Sequence, residues 1–98
     1  MSTQPQLVRD FLLGLQSQIC EALEALDGTG RFIEDRIQTE AGGLSAPRVM
    51  SNGVHIERAG VNFTHSIGAE LPAAATARRP ELAGRAYQAV SLSLIVHP

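Results

Sequence analysis

Between Leu7 and Leu26 the hydrophobic residues Val8, Phe11, Leu12, Leu15, Ile19, Ala22, Leu23 and Leu26 recur at steps of three and four. That spacing places them along one face and predicts an amphipathic helix. Thr3 with Gln6 fits a capping box, and Pro5 is tolerated in a first turn. Asp27-Gly28 is a stop signal, because glycine enters the left-handed C-cap without strain. A helix of this kind needs a sheet or a second helix to cover its apolar stripe.

Downstream the period changes. From Gly30 to Pro47 it weakens, and Gly42-Gly43 followed by Leu44 to Pro47 reads as a loop leading into extended chain. Arg48 to Ser51 and Val54 to Ala59 flank Asn52-Gly53, the dipeptide that best suits a type I′ turn, so a tight hairpin is expected there. Val61 to Ile67 continues as a third strand, with Gly60 as the turn or bulge between them. Leu71 to Arg85, rich in Ala and Pro, fits either a loop or a short helix ending at Gly84. From Ala86 to His97, Val90, Leu92, Leu94 and Val96 share one parity, and Tyr87, Ala89, Ser91, Ser93, Ile95 and His97 share the other. This predicts a strand whose apolar face packs on a helix, such as the Leu7 to Leu26 stripe, while its more polar face stays free for a ligand. Because an apolar strand needs neighbours on both sides, a sequence stopping at Pro98 is expected to be part of a longer chain.

Composition narrows the function classes. Ninety-eight residues, 44% hydrophobic and 18% charged, suit one small globular domain. Ten acidic residues against eight basic ones, all arginine and scattered from Arg9 to Arg85, leave a net charge of −2 and no basic stripe. With four aromatic residues and no Trp, the signature of nucleic-acid binding is missing. No apolar run approaches the roughly 18 residues of a membrane span, and Met1 to Gln6 lack the marks of a signal peptide, so a cytoplasmic protein is expected. Cys20, among Ile19, Ala22 and Leu23, reads as a buried, inert thiol. His55 and His65 lack a second metal-type residue at helical spacing and read as surface or packing residues. Gly28-x-Gly30 follows a helix instead of a strand, so it marks a helix end and not a phosphate loop.

Several blocks then match one family in order. They are Leu15-Gln16 through Ile19-Cys20, Ala25 to Gly28, Phe32 with Glu34-Asp35, Gly42-Gly43, and Glu57 to Phe63 as ERAGVNF. His65, Gly68, Leu71-Pro72, Ala75 to Ala77, Arg79 to Arg85 and Ser93 to Pro98 as SLIVHP complete the series. Together they resemble the amino-terminal third of the oxygen-dependent coproporphyrinogen-III oxidases.

The resemblance implies an α+β fold: an N-terminal helix packed on part of a large, flat antiparallel sheet, with residues 1–98 the first part of a single domain that works as a homodimer. It implies oxidative decarboxylation of coproporphyrinogen III to protoporphyrinogen IX in haem biosynthesis. Molecular oxygen is the co-substrate, no organic cofactor takes part, and a divalent metal is disputed. It places Ser93 at a substrate-contacting position and His97 at a metal-ligand position, with the catalytic histidine in the segment that follows Pro98, so these residues alone are expected to turn over little. Ser93 and His97 share parity four residues apart, so their side chains leave one sheet face on the order of 13 Å apart, at about 3.3 Å per residue. Arg48, Arg58, Arg78, Arg79 and Arg85 are the residues able to fork onto a propionate, and Asn62 and Thr64 share a parity suited to lining a pocket. The competing expectation is a non-catalytic α+β module that binds a tetrapyrrole or dimerises.

Overall fold

The computed structural model describes residues 4–39, 42–68 and 87–98. A single long helix, α1 (Gln4–Asp27), precedes five strands: β1 (Ile33–Glu34), β2 (Ile37–Gln38), β3 (Leu44–Ser51), β4 (Arg58–Gly68) and β5 (Tyr87–His97). They form one antiparallel sheet in the order β1-β3-β4-β5, with β2 also pairing to β3. The fold is therefore the expected α+β arrangement of a helix on an antiparallel sheet. Residues 71–85, where a loop and a short helix both fitted the sequence, and Thr3 of the capping box lie outside the described residues.

The weakly periodic stretch before β3 is not all loop. Strands β1 and β2 keep one register against β3, with Ile33 opposite Val49 and Ile37 opposite Ser45, and the break between them falls opposite Pro47. Asp35 donates its N–H to the Pro47 carbonyl at 3.1 Å, but proline has no N–H to return. One edge strand is thus split in two by the residue it faces.

The hairpin differs from the expected one. β3 and β4 pair from Leu44↔His65 to Ser51↔Arg58, so residues 52–57 form a loop longer than a two-residue turn. Asn52 does take positive φ, at 58°, but Gly53 does not, and a type I′ turn requires both. Nor is Gly60 a turn or bulge: it sits inside β4 between Val49 and Ile95, and the pairing runs through it without a slip. The two strands expected on either side of Gly60 are one.

The cause lies at the end of α1. The Asp27 carboxylate is buried and accepts N–H groups from Gly30 (2.7 Å), Val54 (3.0 Å), His55 (2.8 Å) and Ile56 (2.9 Å), with a longer contact from Thr29 (3.4 Å). The Gly30 and Ile56 amides, followed by those of His55 and Val54, hold its carboxyl well below the usual carboxylate range in spite of burial. Across the loop Asn52 and Gly53 still donate to the Glu57 and Ile56 carbonyls at 2.8 and 2.9 Å, but the Val54, His55 and Ile56 amides turn to Asp27, so the regular pairing stops at Ser51 and Arg58. Gly53 is needed for that approach, since a Cβ there would collide with the Asp27 carboxylate.

The helix also seats differently from the expected stripe. Gln16, Cys20 and Asp27 are its buried residues, with Leu12, Leu13 and Leu23 packed on the core. Phe11 and Leu26 are each 69% exposed, and Val8 is also exposed. The rotation follows from polar pairing. Gln16 donates Nε2 hydrogens to the carbonyls of Ala46 (2.7 Å) and Val61 (2.8 Å), tying α1 to β3 and β4. Beneath it Leu44, Ala46 and Phe63 form one core cluster and Met50, Ile56 and Ala59 another. Cys20 is buried as expected, and burial pushes its thiol pKa up, partly offset by Arg48.

Candidate functional site

The strand register sorts every β3–β5 residue onto one of two faces. On the helix side lie Ala59, Val61, Phe63 and His65 of β4, opposite Val96, Leu94, Leu92 and Val90 of β5. Val90 and Leu92 pack with Leu12 and Leu13, so the expected contact of the apolar β5 parity with α1 is present, although Leu94 and Val96 remain exposed. The other face carries no described helix. It is built of four rows across β3, β4 and β5: Ser45–Thr64–Ser91, Pro47–Asn62–Ser93, Val49–Gly60–Ile95 and Ser51–Arg58–His97.

Chemistry is graded along these rows. One end is hydroxyl-rich, and a depression of about 320 Å³ there is lined in part by Thr39, Ser45, Thr64 and Ser66. The middle is apolar, with a shallow depression of about 200 Å³ bounded by Val49, Gly60 and Ile95 and closed at one end by Arg58 and His97. Ser93 is exposed and paired with Asn62, and His97 is exposed and paired with Arg58. Asn62 Oδ1 is buried and has no hydrogen-bond partner. Arg58 forms no ion pair among the described residues, where the salt bridges are Arg36–Glu34 at 3.2 Å and Arg48–Glu34 at 3.3 Å.

Other candidates from the sequence are placed elsewhere. Arg48 faces α1, donating to Ser17 Oγ at 3.3 Å as well as to Glu34, and so cannot reach a ligand on the open face. Arg78, Arg79 and Arg85 lie outside the described residues. His65 is buried between Arg9 (Nδ1, 3.2 Å) and Gln88 (Nε2, 2.9 Å), and His55 is exposed in the 52–57 loop instead of on a strand, so both are surface or packing residues as expected. Among the described residues no cluster of three or more His, Cys, Asp or Glu side chains could hold a metal ion. His97 stands opposite the cation Arg58, so a metal there needs donors from other parts of the protein.

A family model described as coproporphyrinogen III oxidase matches residues 7–98. The chain belongs to the coproporphyrinogen III oxidase family. Membership gives it a place among oxidoreductase-type proteins of haem biosynthesis, with a porphyrinogen as the substrate type. Among the described residues no helix is long and apolar enough to cross a membrane.

The sequence did not single out Gly60 as part of a site. Gly60 sat in the ERAGVNF block but read as a turn or bulge. The signal that separates it from a turn glycine is the unbroken alternation of Ala59, Val61, Phe63 and His65 around it, which keeps one parity buried.

Proposed function

We propose that this chain supplies the porphyrinogen-binding sheet face of an oxygen-dependent coproporphyrinogen III oxidase. The observation that carries this is the register. It puts Ser93, His97, Asn62, Thr64 and Arg58 together on the face away from α1, around an apolar centre. A porphyrinogen, four flat pyrrole rings on flexible methylene bridges with carboxylate arms, is met by a broad, shallow surface of that kind, with an apolar middle and a cation toward the rim.

In this reading Ser93 contacts the macrocycle or a side arm, and Arg58 meets a propionate. For each propionate converted, the carbon–carboxylate bond breaks to release carbon dioxide and a hydrogen leaves the neighbouring carbon with its electron pair. That hydride, hydrogen and electron pair together, and one proton from solvent reduce molecular oxygen to hydrogen peroxide, leaving a vinyl group. Two such conversions take coproporphyrinogen III to protoporphyrinogen IX. The contribution of the described residues is to bind and orient the substrate. Should a divalent metal take part, His97 would be one of its donors, with the remaining ones from elsewhere in the protein.

The test uses the protein expressed from its full reading frame, given anaerobically prepared coproporphyrinogen III and then oxygen, with products separated after reoxidation. Protoporphyrin formation that depends on oxygen, and a several-fold rise in KM for Ser93→Ala, are expected. Saturable coproporphyrin binding without any turnover would favour the non-catalytic tetrapyrrole-binding module instead.

A further inference from the structure

Glycine at position 60 is not demanded by the backbone. Its φ is not positive, and a Cβ built there would meet only the Asn62 amide, at 3.6 Å and 3.8 Å, which is ordinary contact. Gly43 and Gly53 are different, since a Cβ at Gly43 would lie 2.6 Å from the His65 carbonyl oxygen and one at Gly53 would strike Asp27. A glycine inside a strand weakens it, so its presence where no turn or close backbone approach requires it points to space kept open for something else. That space is the depression of about 200 Å³ between Val49 and Ile95.

From this we infer that Gly60 is the floor of a subsite for one propionate-bearing pyrrole ring. The inference rests on the porphyrinogen-binding reading above and deepens it. Val49 and Ile95 flank the floor in the paired strands, and both are exposed apolar side chains suited to the two edges of a flat ring. At one end Arg58, exposed and without an ion pair among the described residues, supplies the planar fork for a carboxylate. On the other side of Gly60 along the strand, beyond the residues that line the depression, is Asn62, whose buried Oδ1 lacks a donor. In a porphyrinogen every pyrrole nitrogen carries a hydrogen, so a ring in this seat presents an N–H donor toward Asn62 and an acid toward Arg58. The Cα atoms of Arg58 and Asn62, four residues apart on one strand, are on the order of 13 Å apart. One ring and its propionate arm fit between them with room for both side chains. Gly60 and Arg58 thereby set which ring arrangement the face accepts.

The experiment is a fluorescence titration of the full-length protein with coproporphyrin III, the stable oxidised form of the substrate. Gly60→Val, Arg58→Gln and Ser93→Ala are compared with wild type, and Arg36→Gln serves as an equal-charge control away from the open face. Gly60→Val and Arg58→Gln are each expected to weaken binding by about tenfold or more, with thermal melts at or above that of wild type. The Arg58→Gln deficit should vanish with the tetramethyl ester of the ligand, whereas that of Gly60→Val should persist. If wild type binds, Ser93→Ala weakens it, and both Gly60→Val and Arg58→Gln match wild type, the pyrrole seat is wrong while the broader function stands. Absence of saturable binding by wild type overturns both, and a Gly60→Val variant that fails to fold overturns the claim that the fold does not need this glycine.

Discussion

Gln16 gives a sharp test of how α1 is held to the sheet. Its Nε2 donates to Ala46 and Val61 at 2.7 and 2.8 Å, but Oε1 is buried without a partner, and the residue is 0% exposed. Pro47 turns its carbonyl to Asp35, so Ala46 and Arg48 on either side turn theirs toward β4, where the register pairs them with Phe63 and Val61. The Ala46 and Val61 carbonyls therefore keep ladder donors if Gln16 is replaced. Gln16→Met conserves length and nearly conserves volume. It removes two hydrogen bonds of about 1 kcal/mol each and relieves an orphan acceptor costing about 1–3 kcal/mol. The net change is within about 1 kcal/mol, a shift of no more than roughly 4–8 °C in Tm for a domain of this size. Gln16→Glu instead aims a carboxylate at two carbonyl oxygens and should cost several kcal/mol at neutral pH. The introduced carboxyl has its folded pKa raised above its unfolded one, so the folded state binds the extra proton. The deficit is then full above the folded value and shrinks as pH falls through it. Urea denaturation followed by circular dichroism at several pH values reads both effects. A loss above about 3 kcal/mol for Gln16→Met, or a pH-independent loss for Gln16→Glu, would refute the orphan-acceptor reasoning.

Three further expectations follow from single residues. Gly14 is exposed in mid-helix with open space around its Cα, so Gly14→Ala should stabilise the protein by about 0.5–1 kcal/mol in a thermal melt, and a loss of stability would count against the helix placement. Cys20 is buried with its pKa raised by burial, so it should react with a thiol reagent only after denaturant is added; fast labelling of native protein would contradict the packing. Asp27 has its folded pKa depressed below the unfolded value, so its contribution is present above the unfolded pKa and lost as pH falls through the folded one. Asp27→Asn should therefore lower stability at neutral pH, flatten that acid dependence and speed hydrogen exchange at Val54, His55 and Ile56, and unchanged exchange there would remove the anchoring role.

How much of this was legible in sequence depends on whether the governing contact was local. The helix, the extent of β5 and its two-faced parity followed from periodicity, because hydrophobic spacing within one element needs no partner to be read. The ordered blocks carried the family. What failed were the features set by distant residues. The hairpin loop is long because Asp27, far back in the chain, holds its amides, and the local Asn52-Gly53 signal cannot register that. The β1–β2 break is decided by Pro47 across the ladder. The helix is rotated away from its most apolar stripe because Gln16 and Asp27 find backbone partners, a preference that hydrophobic counting ranks the wrong way round. Arg48 and Arg58 looked equivalent as carboxylate ligands until the register put them on opposite faces.

The placement of these long-range anchors bears on the site. A one-residue slip between β3 and β4 would exchange the two faces of the sheet, bringing Arg58 and Asn62 under the helix and Phe63 into the open. The contacts that forbid the slip are Gln16 on two carbonyls, Asp27 on the connecting loop, and the His65 side chain between Arg9 and Gln88. Each engages backbone or a side chain of the helix-covered parity. None uses Ser45, Asn62, Thr64, Ser93, Arg58 or His97, which form no side-chain hydrogen bond among the described residues. Among the described residues these register-setting side-chain contacts thus come from the covered side and the loop, and the polar side chains of the open face are left without side-chain hydrogen bonds. In a free-standing structural module, unspent polar groups beside an apolar depression and an orphaned buried carbonyl oxygen would be a standing cost with no return. Under the proposed porphyrinogen-binding role they would serve as recognition chemistry in place before the substrate arrives.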